Sequence, residues 1–159
     1  MRHGKAEARA MGGNDADRVL TGQGREEVKK IGQWTVAMGY TFDLIATSPL
    51  KRARETAEII GTTTKQEHTV QDWDLLSPGG DPDALSRHIA GLWGDRSVLL
   101  IGHEPMLSIL ISRIISRDTT VSIVLAKGAF ARIKNVTCNG DLSGELHSLL
   151  TPKQLSFGN

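Results

Sequence analysis

Four short stretches of this sequence carry residue types that together could move a phosphoryl group: Arg2-His3-Gly4, Ser48-Pro49-Leu50-Lys51-Arg52, Asp72-Trp73-Asp74 and Gly102-His103-Glu104-Pro105. A neutral imidazole nitrogen can attack phosphorus and carry the group as a phosphohistidine, which divides the transfer into two easier steps. His3 is the candidate nucleophile. Arg2, Arg52 and His103 would hold the phosphoryl oxygens as charge develops on them, which is where most catalysis of phosphoryl transfer lies. A guanidinium suits this task because its fork grips two oxygens at once, a geometry that lysine does not reproduce. His103 could bind an oxygen as a cation or exchange a proton near neutral pH. The leaving group also needs a proton and the attacking water a base. Asp74 or Asp72 could serve, with Glu104 as another candidate.

Each of these residues has a plainer reading beside the chemical one. Arg52 sits among Lys51, Arg54 and Glu55, the company of a solvated helix face. His103 could be a cap or a core histidine, and a loop aspartate such as Asp74 commonly caps a turn. His68, His88 and His147 lack a comparable setting and read as surface or structural residues. A metal held by His3, His103, Asp74 and Glu104 is disfavoured, because Arg2 and Arg52 would place fixed positive charge beside a cation.

The elements that must position these stretches can be read from caps and apolar runs. Residues 5–20 are polar and read as a loop. Thr21 caps a helix to about Met38, with Val28, Ile31, Thr35 and Met38 at helical spacing and Gly39 as its stop. The apolar run 42–47 suits a buried parallel strand. Ser48 at N-cap and Pro49 at N1 then start a helix that ends at Gly61, with Arg52 near its positive end, where an anion is favoured. A weaker strand is expected over 66–70, followed by a loop to Gly80. Asp81-Pro82 opens another helix, with Leu85, Ile89, Leu92 and Trp93 on its apolar face before Gly94. The clearest strand is 97–101, and the helix after it carries Leu107, Leu110, Ile111, Ile114 and Ile115. Strands are expected over 122–125, 129–137 and 144–150, the last two forming a hairpin turned through Asn139-Gly140-Asp141.

This alternation predicts an α/β fold: a single three-layer domain over residues 1–159, with a mostly parallel central sheet flanked by helices and a C-terminal hairpin. Ligands of such sheets sit outside the carboxyl ends of the strands. All four polar stretches directly follow a predicted strand, so their convergence is expected from position. The front of the chain is unusual: a strand leading into Arg2 would have almost no residues, so the start is trimmed or miscalled, or a short edge is completed by something else.

Composition narrows the classes of function. A chain of 159 residues buries a real core without metal or disulfide staples. A net charge of +1, from 19 basic and 18 acidic side chains, supplies no overall field for nucleic acid or an anionic membrane surface. With aromatic residues at 4%, a base-stacking platform is disfavoured. Cys138 is the only cysteine, which excludes an internal disulfide and a cysteine-rich metal site. With no signal peptide and no apolar run of membrane-spanning length, a reducing cytoplasm is the expected setting, and nothing demands more than a monomer.

Assembled in order, these motifs resemble the histidine phosphatase superfamily, also called phosphoglycerate mutase-like. Arg2-His3-Gly4 matches its Arg-His-Gly signature. Ser48-Pro49, Arg52-Ala53 and Thr56-Ala57 match Ser-Pro-x-x-Arg-Ala-x-x-Thr-Ala, and Gly102-His103 matches its later Gly-His. Leu20-Thr21 with Gly24, Pro78-Gly79-Gly80-Asp81-Pro82, Lys127-Gly128-Ala129 and Leu150-Thr151-Pro152-Lys153 are similar to its branch of small phosphohistidine phosphatases, the SixA branch. The resemblance implies hydrolysis of a phosphoryl group from a histidine of a partner protein, such as a phosphotransfer domain or phosphocarrier, with no metal or organic cofactor. A phosphomonoesterase for small molecules and a phosphohistidine-binding module without turnover are the alternatives. Members of the family normally carry a short apolar strand before Arg-His-Gly, and here only Met1 precedes it.

Overall fold

The computed structural model describes residues 1–92 and 96–156. Thr21 caps the first helix as expected, its hydroxyl accepting from the Gly24 N–H at 2.9 Å, and α1 (Gly22–Ala37) ends at Met38 and a left-handed Gly39. The first strand, β1 (Leu44–Thr47), is buried along its whole length. The next helix, α2 (Lys51–Thr64), begins later than its serine-proline signal predicts. Leu50 occupies the N-cap without a side-chain bond, because the Ser48 N–H prolongs the strand pairing by donating to Ile101 O at 2.9 Å. Nor does Gly61 stop it: the helix continues one turn to Lys65, which takes the left-handed conformation. What Gly61 provides is close approach, since a side chain there would meet the Glu67 backbone and Val70 at 3.2 Å.

The weak strand expected over 66–70 lies further on, as β2 (Val70–Asp72), because residues 67–69 form a 3-10 turn. Asp72, expected in a loop, therefore belongs to the sheet. Asp81 caps α3 (Pro82–Ala90) by accepting from the Asp83 N–H, with Pro82 at its first position as read. This helix ends at Gly91, so Leu92 lies in the turn beyond it; Trp93 and Gly94 lie outside the described residues. After β3 (Val98–Ile101) comes α4 (Met106–Ser116), then the antiparallel hairpin of β4 (Phe130–Asn139) and β5 (Asp141–Leu150), turning at Gly140. Residues 122–125 form no strand. The Leu125 carbonyl accepts instead from the Arg2 side chain at 3.0 Å.

β2, β1 and β3 make a parallel sheet in that order, with Leu44 opposite Val98 and Thr47 opposite Ile101. Alternate side chains of a strand point to opposite faces, and the two faces build two cores. Ile45, Leu99 and Ile101 pack with Val28 and Ile31 of α1 and Ala53, Ala57 and Ile60 of α2. Leu44 and Ala46 pack with Leu85 of α3 and Leu107, Leu110 and Ile114 of α4. The architecture is the expected α/β domain of three layers, helices on both faces of a mostly parallel sheet, with the C-terminal hairpin attached.

The front of the chain is anchored by backbone pairing on both sides. Next to β3, the Met1 amino group donates to Leu100 O at 2.7 Å, Gly102 N–H to Met1 O at 3.2 Å, and His3 N–H to Gly102 O at 3.1 Å. On the other flank Arg2 N–H donates to Ala129 O at 3.1 Å, and Gly128 N–H to His3 O at 2.9 Å. Three residues thus serve as a sheet strand. Past Met1, a groove of about 720 Å³ continues between β3 and β4, lined by Met1, Tyr40, Leu100, Phe130 and Arg132 among others. No helix among the described residues is long and apolar enough to cross a membrane.

Candidate active site

Residues from the front of the chain, the start of α2 and the turn after β3 meet at the carboxyl end of the sheet, where open α/β sheets bind ligands. His3, Arg52 and His103 are all buried there, at 6%, 4% and 4% exposure. The rings of His3 and His103 lie 4.9 Å apart, tilted by 54°. Burial of Arg52 removes its plain reading as a solvated helix residue, and the contact with His3 is what sets His103 apart from an ordinary core histidine.

Local bonds fix the His3 ring. Its Nδ1 lies 2.7 Å from the Gly4 carbonyl, which only accepts, so Nδ1 carries the proton and Nε2 keeps its lone pair. Gly4 itself is held by donating its N–H to the Thr56 hydroxyl at 3.1 Å, and that hydroxyl donates to the Arg52 carbonyl at 2.7 Å. Thr56 thereby ties the loop after His3 to α2 through backbone atoms. Gly4 serves here by close contact: a side chain there would stand 2.7 Å from Val28 Cγ2. On His103, Nε2 lies 3.0 Å from the Ser48 hydroxyl. Ser48, read as a helix cap, is mainly a partner of that imidazole.

Electrostatics keep both rings neutral. Burial is the largest cause that lowers the His3 pKa, to about 3, and His103, Arg52 and Arg2 add to it against the bond to Gly4. His103 falls to about 4, again chiefly by burial and then by the Arg52 charge, with Asp15 opposing. At neutral pH His3 is a free base, as a nucleophile must be. His103 is neutral too at that pH, and a bound anion, by offsetting the neighbouring arginines, would favour its cationic form.

The positive charge comes from Arg2 and Arg52. Arg2 spends one N–H on Leu125 O, and Arg52 donates Nη1 to the Asp15 carbonyl at 2.7 Å and Nη2 to Asp15 Oδ2 at 2.9 Å. The Nε–H of each is buried with no partner. Two guanidinium donors without protein partners, beside two neutral imidazoles, are complementary to a tetrahedral oxyanion.

The carboxylates are placed differently from the sequence reading. Asp74 is exposed at the start of a 3-10 turn and has no side-chain hydrogen bond or ion pair among the described residues. Asp72 pairs with Arg54, and Glu104 caps α4 by accepting from the Ser108 N–H at 3.1 Å. No group of three or more His, Cys, Asp or Glu side chains among the described residues could hold a metal ion. The carboxylate that does contact the cluster is Asp15, in the stretch read only as a polar loop. Its partner lies 37 residues away, and no local pattern announces such a pair.

Comparison with known proteins places this arrangement. Residues 1–77 match the model of the histidine phosphatase superfamily (branch 1). An uncharacterized protein of Picosynechococcus is 33% identical over 161 residues, covering 97% of this chain and 95% of that protein. The phosphohistidine phosphatase SixA of Escherichia coli is 29% identical over 121 residues, covering 75% of this chain and 74% of its own. The structure of the protein histidine phosphatase SixA complexed with tungstate superposes with a TM-score of 0.85 at 25% identity, covering 98% and 96% of the two chains. Fold, motif order and full-length similarity agree: the chain belongs to the histidine phosphatase superfamily.

Proposed function

We propose that this chain is a phosphohistidine phosphatase that removes the phosphoryl group from a histidine of a partner protein through a phosphohistidine formed at His3. The observation that carries this reading is the state of the His3 ring. Nδ1 is committed to the Gly4 carbonyl, while Nε2 keeps its lone pair beside His103 and two arginines with unpartnered N–H groups. Similarity to SixA along most of the chain supports the substrate class.

In the first step, His3 Nε2 bonds to phosphorus as the P–N bond of the substrate breaks, and the departing imidazole nitrogen takes up a proton. In the second, water adds to phosphorus and gives up a proton as the P–Nε2 bond breaks, so protons balance over the cycle. Arg2, Arg52 and His103 hold the equatorial oxygens through both displacements. An imidazole is a better leaving group than an alkoxide, so departure demands less of an acid than ester hydrolysis does. Asp74 is proposed as the group that exchanges these protons. The arginines supply the positive charge that the transition state requires, so the reaction as written uses no metal or organic cofactor. The proposed setting is the cytoplasm, with a monomer as the working unit.

The test pairs the folded protein with a phosphohistidine protein and with a panel of sugar phosphates and phosphoglycerates. Phosphate release from the protein substrate, an acid-labile phosphoenzyme at His3, and loss of both in His3→Ala are expected. A folded His3→Ala protein with full activity would sink the mechanism. Turnover confined to small phosphate esters would replace the substrate assignment.

A further inference from the structure

The carboxylate in contact with the site comes from a segment that none of the motifs includes. Residues 15–17 form a 3-10 turn, started by Asn14, whose side chain accepts from the Ala16 N–H at 3.1 Å. Asp15 meets Arg52 twice, with its main-chain carbonyl on Nη1 and its carboxylate Oδ2 on Nη2. Its other oxygen, Oδ1, accepts from Arg18 Nη1 at 2.8 Å, and Arg18 Nε in turn donates to Glu7 O at 2.7 Å. The turn is therefore tied both to α2 and to the loop leaving His3.

Donor counting decides what this contact does. A guanidinium has five N–H groups. Asp15 uses two, and three remain, including the buried Nε–H with no partner. Asp15 thus leaves three of the five N–H groups available while fixing the guanidinium plane at two points. We infer that Asp15 is a positioning residue, whose carbonyl and carboxylate hold Arg52 in the pose that offers its remaining N–H groups to a phosphoryl group. A role as proton carrier fits less well, because hydrogen bonds from Arg18 and Arg52 hold the carboxyl below the usual range and make it a weak base. The inference rests on the reading of Arg52 as a phosphate ligand.

A double-mutant cycle tests it, with inorganic phosphate as the binding probe and phosphohistidine-protein turnover as the second readout. Asp15→Ala is expected to weaken phosphate binding about tenfold and to lower kcat/KM by about 10- to 100-fold, the usual penalty for a misplaced catalytic group. Asp15→Asn, whose amide oxygen can still accept from Nη2, falls between, and it decides the matter if the alanine variant does not fold. In an Arg52→Ala background the same Asp15 changes should have almost no further effect, since the group they position is gone. A purely structural role would give equal losses in both backgrounds and overturn the inference, as would unchanged or tighter phosphate binding in Asp15→Ala. Unaltered phosphate affinity in Arg52→Ala alone would instead remove the reading of Arg52 beneath it, and the inference with it.

Discussion

Acidification should unfold this protein through the two histidines of its site. His3 and His103 have folded pKa values of about 3 and about 4, lowered chiefly by burial from an ordinary value of 6.5. Above pH 6.5 both states hold the rings neutral and neither gains. Below it the unfolded chain takes up two protons that the folded chain refuses, so stability falls until the folded values are reached. At pH 5 each ring contributes a loss of about 2 kcal/mol, or about 4 kcal/mol for the pair, a large part of a typical domain's stability. The buried Met1 amino group, lowered to about 5 by desolvation, works in the same direction between pH 8 and 5, so a wild-type curve alone does not isolate the histidines. Urea unfolding at pH 7.5 and pH 5 should therefore be compared with His3→Asn and His103→Asn, each of which should lose about 2 kcal/mol less over that interval. His3 or His103 signals, assigned by loss in the matching Asn variant, that titrate near 6.5 in the folded protein by NMR, or variants with the wild-type pH dependence, would refute the reasoning.

Two further outcomes follow from contacts around the site. Gly24→Ala would set a methyl group 2.1 Å from the Lys5 carbonyl; forcing α1 away from the loop behind His3 should destabilise the fold by about 1–3 kcal/mol, read as a lower melting temperature. Ser48→Ala leaves His103 Nε2 buried without its partner. A stability loss of about 1–3 kcal/mol in denaturant unfolding is expected, together with a several-fold lower kcat/KM, and a variant equal to wild type in both would show the bond to be idle.

What could be read in the sequence was what its neighbours determine. Thr21 and Asp81 announced their helices because a cap bonds to a backbone N–H two or three residues away. The runs at 42–47 and 97–101 announced buried strands, realised over 44–47 and 98–101, because both faces of the sheet are covered. Ser48-Pro49 gave the same local signal and misled, since the pairing of Ser48 with Ile101 lies across the sheet and delays the helix. His3, Arg52 and His103 could be placed together because each follows a strand. Asp15 could not: its bond to Arg52 spans 37 residues and leaves no periodic trace. Asp74 follows a strand as well, yet it stands exposed at a 3-10 turn, because position after a strand does not fix where a side chain in a turn will point.

The same contrast explains how His3 is held in place. A strand ordinarily anchors its end through buried side chains, and Met1 supplies one such side chain. The remainder is backbone: residues 1–3 are bonded to Leu100 and Gly102 on one flank and to residues 128–129 on the other. Gly4 is then clamped by Thr56, and its carbonyl orients the His3 ring. None of these bonds depends on the identity of the side chain at position 1. The histidine is therefore held from three sides, by β3, by α2 and by the turn at Gly128, and it does not line the groove beyond Met1.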